Sequence, residues 1–144
     1  MLSIQVLDRN ERRLKFQGEL VAQLETDVLE TSDHLVWLEL TAYERKDHGW
    51  VVTVIAKKSG DQWEDEVCFF STHSVETAIE FLYDFDAQSL VPDSESVEHV
   101  YYCVADLLAA SVHAHETEKL NNLADELDQS PQKWINRIMR FIGA

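Results

Sequence analysis

The chain has 144 residues, of which 45% are hydrophobic, and its 27 Asp and Glu residues outnumber 12 Lys and Arg residues to give a net charge of −15. This length suits one folded domain, and the hydrophobic fraction excludes wholesale disorder. The acidity argues against direct binding to DNA, RNA or anionic lipid, because those partners require Lys and Arg side chains.

The first residues and the cysteines bear on the cellular compartment. Residues 1–8 lack a basic segment followed by a long apolar one, so we expect no secretory signal. No stretch approaches about 18 consecutive apolar residues, so we expect no membrane-spanning helix. Cys68 and Cys103 are too few and too far apart for a disulfide framework. These features predict a cytoplasmic protein with reduced thiols.

The N-terminal half carries the patterns of β-strands. Alternating apolar residues and runs of β-branched and aromatic residues predict strands in chain order at 14–24, 35–43, 50–56 and 63–70, and 3–8 allows a fifth. Gly18 interrupts the first of these patterns and indicates a bulge or a close backbone approach. A short polar loop ending at Gly49 separates two β-rich runs and predicts a hairpin.

The C-terminal half carries helical patterns. Residues 71–74 offer N-cap side chains, and Glu76 is placed in the first turn of a helix. Pro92 indicates a loop at 84–96, where Asp93, Ser94 or Ser96 is expected to cap the next helix. That helix starts at Val97 and either continues to 130 or breaks near 116–122. Its core-facing positions are predicted to be Val100, Tyr101, Val104, Leu107, Leu108 and Val112.

Strands followed by helices are typical of the α+β class. We predict a single domain over residues 1–144, with an antiparallel meander of four to five strands in 1–70 packed against three to four helices in 71–144. One face of the sheet is expected to pack on the helices. The other is expected to expose alternating polar residues, namely Lys15, Gln17, Glu19 and Gln23.

The negative charge is concentrated in one segment. Residues 1–58 contain 10 acidic and 8 basic residues, whereas 59–132 contain 17 acidic residues and the single base Lys119. Such segregation is typical of an interaction surface, although a merely solvated surface is the simpler alternative. The residues predicted to bind a partner are Glu76, Glu80, Asp84, Asp86, Glu95, Glu98, Asp106, Glu116, Glu118, Asp125, Glu126 and Asp128.

One group of residues on the long helix has the chemistry of zinc ligands. His99, Cys103 and Asp106 follow each other at helical spacing and project along one stripe. The spacing matches no specific zinc motif, and the alternative is that Cys103 flanks the core. We therefore predict no metal and no other cofactor, and keep these three residues as the alternative.

Tryptophans recur on neighbouring predicted strands. If Trp37, Trp50 and Trp63 share one face of the sheet, they form an aromatic cluster, either as core or as a binding platform.

The last helix is predicted at 131–142, with Ser130 as N-cap and Pro131 in the first turn. Its apolar side includes Trp134, Ile138 and Phe141, and its polar side is basic. The helix is expected to pack on the sheet or to bind a partner or a second subunit, which makes a homodimer one hypothesis. Binding to an anionic membrane is disfavoured by the acidic body of the protein.

No catalytic signature is present. The four glycines form neither a phosphate-binding loop nor a G-x-S-x-G elbow, so we predict a protein that is not an enzyme. We predict an acidic interaction module that binds a basic protein surface, and no direct binding to nucleic acid or membrane. A specific version is nucleic-acid mimicry, in which carboxylates occupy the groove of a DNA- or RNA-binding protein. Inhibitors of host defence encoded by phages and mobile elements often take this form.

Two other functions stay open. One is a small metal-binding or ligand-binding enzyme that uses His99, Cys103 and Asp106. The other is a homo-oligomeric structural or assembly subunit that associates through the last helix.

Overall fold

The chain folds into an antiparallel sheet followed by helices. The computed structural model describes residues 2–7, 12–31, 34–60 and 65–128. In chain order these residues form strands β1 (Leu2–Leu7), β2 (Arg13–Glu25), β3 (Leu29–Glu30), β4 (Leu35–Arg45), β5 (Trp50–Lys58) and β6 (Glu66–Thr72), then helices α1 (Val75–Asp84) and α2 (Val97–Asp128), with a 3-10 turn at Ala87–Ser89 between the helices. The predicted α+β class is confirmed.

The chain divides into two compact units, residues 1–112 and 113–144. The first contains the sheet, α1 and the first half of α2, and the described part of the second is the remainder of α2. The predicted single domain stays a prediction.

The sheet is a meander with one interruption. The strand order is β1-β2-β4-β5-β6, and the two-residue β3 pairs with the start of β4 on the edge that β2 occupies further along. Thr26 lies between β2 and β3. Its backbone N–H donates to the Leu38 carbonyl at 2.9 Å, and its hydroxyl accepts from the Leu38 N–H at 2.9 Å. The threonine hydroxyl thus takes the place of a backbone acceptor where the strand is interrupted.

The hairpin predicted around Gly49 is present between β4 and β5. The backbone N–H of Arg45 donates to the Gly49 carbonyl at 2.7 Å, and Asp47 accepts from the Gly49 N–H at 3.0 Å. The side chain of Asp47 thus stabilises the turn in which it lies, so this loop depends on residues that are adjacent in the sequence.

Within the first unit, one face of the sheet packs against both helices. Leu40 lies opposite Val54 and Ala42 opposite Val52, and all four are buried. The helical residues of the same core cluster are Ala78 and Leu82 from α1, and Val97, Tyr101, Val104, Ala105, Leu108, Ala109 and Val112 from α2. The packing of helices on one sheet face therefore agrees with the prediction.

A bulge in β2 moves its side chains from one face of the sheet to the other. The register shifts between Leu20 and Ala22, so Glu19 lies opposite Glu44 whereas Gln23 lies opposite Thr41. Positions 44 and 41 of β4 point to opposite faces, because side chains alternate along a strand. The predicted polar residues Lys15, Gln17, Glu19 and Gln23 are all exposed, but the expectation that they share one face is wrong.

The second face of β4 and β5 is also buried, which the sequence pattern did not predict. Thr41 and Thr53 lie opposite each other on this face, are buried, and share a hydroxyl hydrogen bond. Side chains from just before β2 and from the end of β4 reach β6 over this face. The Arg12 guanidinium before β2 lies 5.3 Å from the ring centroid of Phe69 on β6, and Arg45 donates to Ser71 of β6 at 2.7 Å. The curvature of the sheet thus removes its central residues from water on both sides.

Gly18 is required by a close approach rather than by the bulge. A Cβ atom at this position would lie 2.5 Å from the Glu44 carbonyl oxygen, which is backbone and cannot rotate away. We expect Gly18→Ala to lower the free energy of unfolding by about 2 kcal/mol through overpacking. Urea denaturation measures this loss, and Gln17→Ala, at an exposed neighbouring position, is the control. Equal stability of the two variants would contradict the interpretation.

The helices begin as predicted but are fewer. Ser74 caps α1 by accepting a hydrogen bond from the Thr77 N–H at 3.3 Å, and Glu76 lies in the first turn. The stretch 97–128 is one continuous helix, so the described residues form two α-helices and the predicted three to four is corrected. This stretch contains neither Gly nor Pro, and Lys119 pairs with Glu116 at 3.0 Å within 116–122, the alternative position of a break. The predicted helix at 131–142 lies outside the described residues.

One predicted core position of α2 is wrong. Leu107 is 59% exposed, whereas its neighbour Leu108 is fully buried. Successive residues are turned by about 100° around a helix, so the two cannot share the core stripe.

None of the helices in the described residues combines the length and the apolar character needed to cross a membrane.

Candidate functional site

The helical part of the first unit exposes acidic side chains without any Lys or Arg among them. Residues 73–112 contain eight Asp and Glu residues and no Lys or Arg, and every one of the eight is exposed. We call them the acidic helical surface: Glu76, Glu80, Asp84, Asp86, Asp93, Glu95, Glu98 and Asp106. Asp93 is exposed like the other seven, although the sequence indicates it only as a candidate helix cap.

On α1 the acidic residues form a row. Glu76, Glu80 and Asp84 are spaced by four residues, which places them on one side of the helix with a rise of about 6 Å between neighbours. The core residues Ala78 and Leu82 occupy the opposite side. Burial of the apolar stripe therefore turns this row of carboxylates to solvent.

The acidic residues between the helices lie on a loop that is held by one side chain. The amide nitrogen of Gln88 is within hydrogen-bonding distance of the carbonyl oxygens of Val91 at 3.0 Å, Pro92 at 3.0 Å and Ser94 at 2.8 Å. These contacts of the Gln88 amide hold the backbone of the loop that carries Asp93 and Glu95.

Tyrosines join α1 to α2 beside the acidic row. The Tyr83 hydroxyl donates to Asp106 Oδ1 at 2.7 Å, and the buried Tyr101 hydroxyl donates to the Leu82 carbonyl. The hydrogen bond to the Asp106 carboxylate raises the pKa of Tyr83, and burial raises the pKa of Tyr101. Both phenols thus stay protonated as donors at neutral pH and hold the two helices together.

The remaining predicted partner-binding residues belong to the second unit. Glu118 and Asp125 are exposed on α2, and Glu116 pairs with Lys119. Glu126 and Asp128 lie in the last turn of the same helix. Residues 113–128 contain five acidic residues together with Lys119, whereas residues 73–112 contain eight acidic residues and no Lys or Arg.

The three alternative metal ligands are not brought together. His99, Cys103 and Asp106 are all exposed on α2. Among the residues that the structure describes, they do not form a group whose ligand atoms all lie within 4.8 Å of one another. Asp106 instead accepts the hydrogen bond from Tyr83. The helical spacing places the three residues along one side of α2, but their ligand atoms do not meet at one point.

The tryptophans of β4 and β5 do not share a face of the sheet. Trp37 lies opposite Lys57, and Trp50 opposite Glu44, so the two rings are on opposite faces. Trp63 lies outside the described residues, as do Trp134, Ile138 and Phe141 of the predicted oligomer-forming helix. Trp37 and Trp50 therefore cannot form one aromatic platform.

The sequence did not reveal a buried ion pair on the second face of the sheet. The ammonium of Lys57, 30% exposed, lies 2.7 Å from Glu39 Oε2, whose side chain is 7% exposed. The two residues are 18 positions apart on neighbouring strands. Only the strand register could have identified this pair, which neutralises charge inside the sheet.

The chain matches no protein-family model, no curated protein and no solved structure.

Proposed function

We propose that the protein is a non-enzymatic interaction module whose acidic helical surface binds a basic surface on another protein. The observation that carries the proposal is the exposure of all eight acidic residues in a segment without Lys or Arg. Carboxylates grouped in a segment without Lys or Arg create a negative potential over a range of about 8 Å at physiological ionic strength. Such a potential accelerates association with basic partners and disfavours acidic ones.

The contrast with the sheet supports this location. There, acidic residues have basic neighbours, as in the pairs Glu39–Lys57 and Asp47–Arg45. The segment 1–58 as a whole is nearly balanced, with 10 acidic and 8 basic residues. The attraction for a basic partner is therefore expected from the helices and not from the protein as a whole.

The charge spacing favours a basic protein surface in general over close mimicry of duplex nucleic acid. The row on α1 carries one charge per about 6 Å, whereas duplex DNA carries one per about 1.7 Å of helix axis. Several rows, including Glu98 and Asp106 of α2, are needed to approach that density. A nucleic-acid-binding partner is thus the narrower version of the proposal.

The test neutralises the α1 row without changing its shape. The variant E76Q/E80Q/D84N removes three charges, and at about 0.5 kcal/mol per exposed pair its affinity for a basic partner is expected to fall about tenfold. Probes are folded DNA- or RNA-binding domains with pI above about 9, and equally basic proteins that bind no nucleic acid. Calorimetry at low and high salt measures the affinities, which are expected to fall steeply as salt rises.

The matched control E25Q/D27N/E30Q removes the same net charge from exposed positions in and around β2 and β3. It is expected to change affinity less than twofold. Equal losses for both triple variants would show that only net charge matters, and absence of binding to every probe at low salt would refute the proposal. Binding restricted to the nucleic-acid-binding probes would select the mimicry version.

A further inference from the structure

Two tyrosines on the acidic helical surface expose a large part of their side chains. Tyr83 near the end of α1 and Tyr102 in the second turn of α2 are each 40% exposed. They are neighbours, because the Tyr102 hydroxyl donates to the Tyr83 carbonyl at 3.4 Å. The Tyr83 hydroxyl is occupied by Asp106. With both hydroxyls directed to protein acceptors, much of what these side chains offer to a partner is aromatic ring.

Both tyrosines are held by contacts with the protein, Tyr83 through its hydrogen bond to Asp106 and Tyr102 through ring packing. Tyr102 packs edge-on against the buried Tyr101, with ring centroids 5.4 Å apart, and Tyr101 contacts Phe85 at 5.6 Å. The same chain of rings continues through Phe81 to Phe70 of β6. Rings held in this way lose little conformational entropy when a partner binds.

Carboxylates surround the tyrosine pair. Asp84 follows Tyr83 in the chain, and Glu80 precedes it by one helical turn. On α2, Glu98 and Asp106 lie one turn before and one turn after Tyr102. All four carboxylates are exposed. The pair is therefore an aromatic surface with a negative rim.

From this arrangement, and resting on the proposed function, we infer that Tyr83 and Tyr102 bind an arginine side chain of the basic partner. A guanidinium group stacks on the face of an aromatic ring and simultaneously donates hydrogen bonds to carboxylates in its plane. Ammonium groups of Lys are more strongly hydrated and lack the planar fork. The acidic residues attract Lys and Arg side chains of the partner alike. The tyrosine pair adds a preference for Arg.

The test compares two peptides of equal charge, hexa-arginine and hexa-lysine, on the full chain at physiological salt. Wild-type protein is expected to bind hexa-arginine about fivefold to tenfold more tightly than hexa-lysine. In Y83L/Y102L this ratio is expected to fall to about one while hexa-lysine affinity stays unchanged. Y83F/Y102F keeps the rings and is expected to keep the preference.

Leu107→Ala is the matched control, because it removes an exposed apolar side chain of α2 that is not part of the pair. It is expected to leave both affinities unchanged. In NMR spectra of the wild type, the ring protons of Tyr83 and Tyr102 are expected to shift with hexa-arginine and much less with hexa-lysine.

The outcomes separate this inference from the proposed function. Equal binding of both peptides by the wild type, with loss in E76Q/E80Q/D84N, overturns the tyrosine site and leaves the acidic surface intact. A preference for arginine that survives in Y83L/Y102L also overturns it. Failure of both peptides to bind refutes the proposed function itself.

Discussion

Replacing Trp50 by alanine is expected to lower the free energy of unfolding by about 4 kcal/mol. The side chain is 1% exposed, begins β5 and belongs to the core cluster between the sheet and the helices. Truncation removes its apolar contacts and leaves a cavity that packed strands and helices cannot fill by a small shift. Urea denaturation, with the midpoint and slope fitted separately, measures the loss.

The control for this substitution is Trp37→Ala on β4. Trp37 is half-buried and lies on the opposite face of the sheet, so its truncation is expected to lower the free energy of unfolding by about 1–2 kcal/mol. If both substitutions lowered the free energy of unfolding by the same amount, burial of the two side chains would not explain how much each contributes to stability.

Replacing Lys57 by methionine is expected to lower the free energy of unfolding by about 3 kcal/mol. The destabilisation comes from Glu39 rather than from loss of the lysine itself. The Glu39 carboxylate, 7% exposed, loses the ammonium group that lies 2.7 Å away. A buried charge without a counter-charge is strongly destabilising. The double variant K57M/E39L removes both charges and is expected to lie within about 1 kcal/mol of the wild type.

Lys15→Met is the control, because it removes a lysine that is exposed on β2. This substitution is expected to change the free energy of unfolding by about 0.5 kcal/mol or less. A thermodynamic cycle over the two single variants and K57M/E39L measures the coupling between Lys57 and Glu39. A coupling near zero would mean that water, not Lys57, compensates the carboxylate.

The pH dependence of this pair has a defined sign. Hydrogen bonding to the Glu39 carboxylate raises the pKa of Lys57 above its usual value of 10.5, partial burial opposes this, and the charge of Glu39 adds to the increase. The stabilisation is therefore fully present below pH 10.5 and is lost as the pH rises through the higher folded-state value. The stability difference between wild type and K57M is expected to be constant from pH 7 to 9 and to narrow only above that range.

The features that the sequence predicted correctly depend on neighbouring residues. The hairpin at Gly49, the cap at Ser74 and the acid in the first turn of α1 each involve groups within a few residues of one another. The exposure of the acidic residues in 73–112 was predictable for the same reason, because a segment without Lys or Arg cannot pair its own carboxylates.

The errors arose where distant segments decide the outcome. The polar residues of β2 alternate regularly in the sequence, but the shift of register after Leu20 places them on two faces of the sheet. This shift depends on how β2 pairs with β4. Burial of Thr41 and Thr53 depends on the curvature that brings Arg12 near Phe69. Periodicity along one strand contains neither kind of information.

The sequence by itself determined that an antiparallel sheet precedes the helices, and located the negative charge in a largely helical segment that has almost no counter-charge. Only the tertiary structure decided which side chains share a surface. Packing of α1 on α2 places Tyr83 beside Tyr102 and against Asp106, and sheet register places Glu39 beside Lys57. These pairs are 18 to 23 residues apart, and contacts across such separations form only when burial of a common core overcomes the entropy of bringing the segments together.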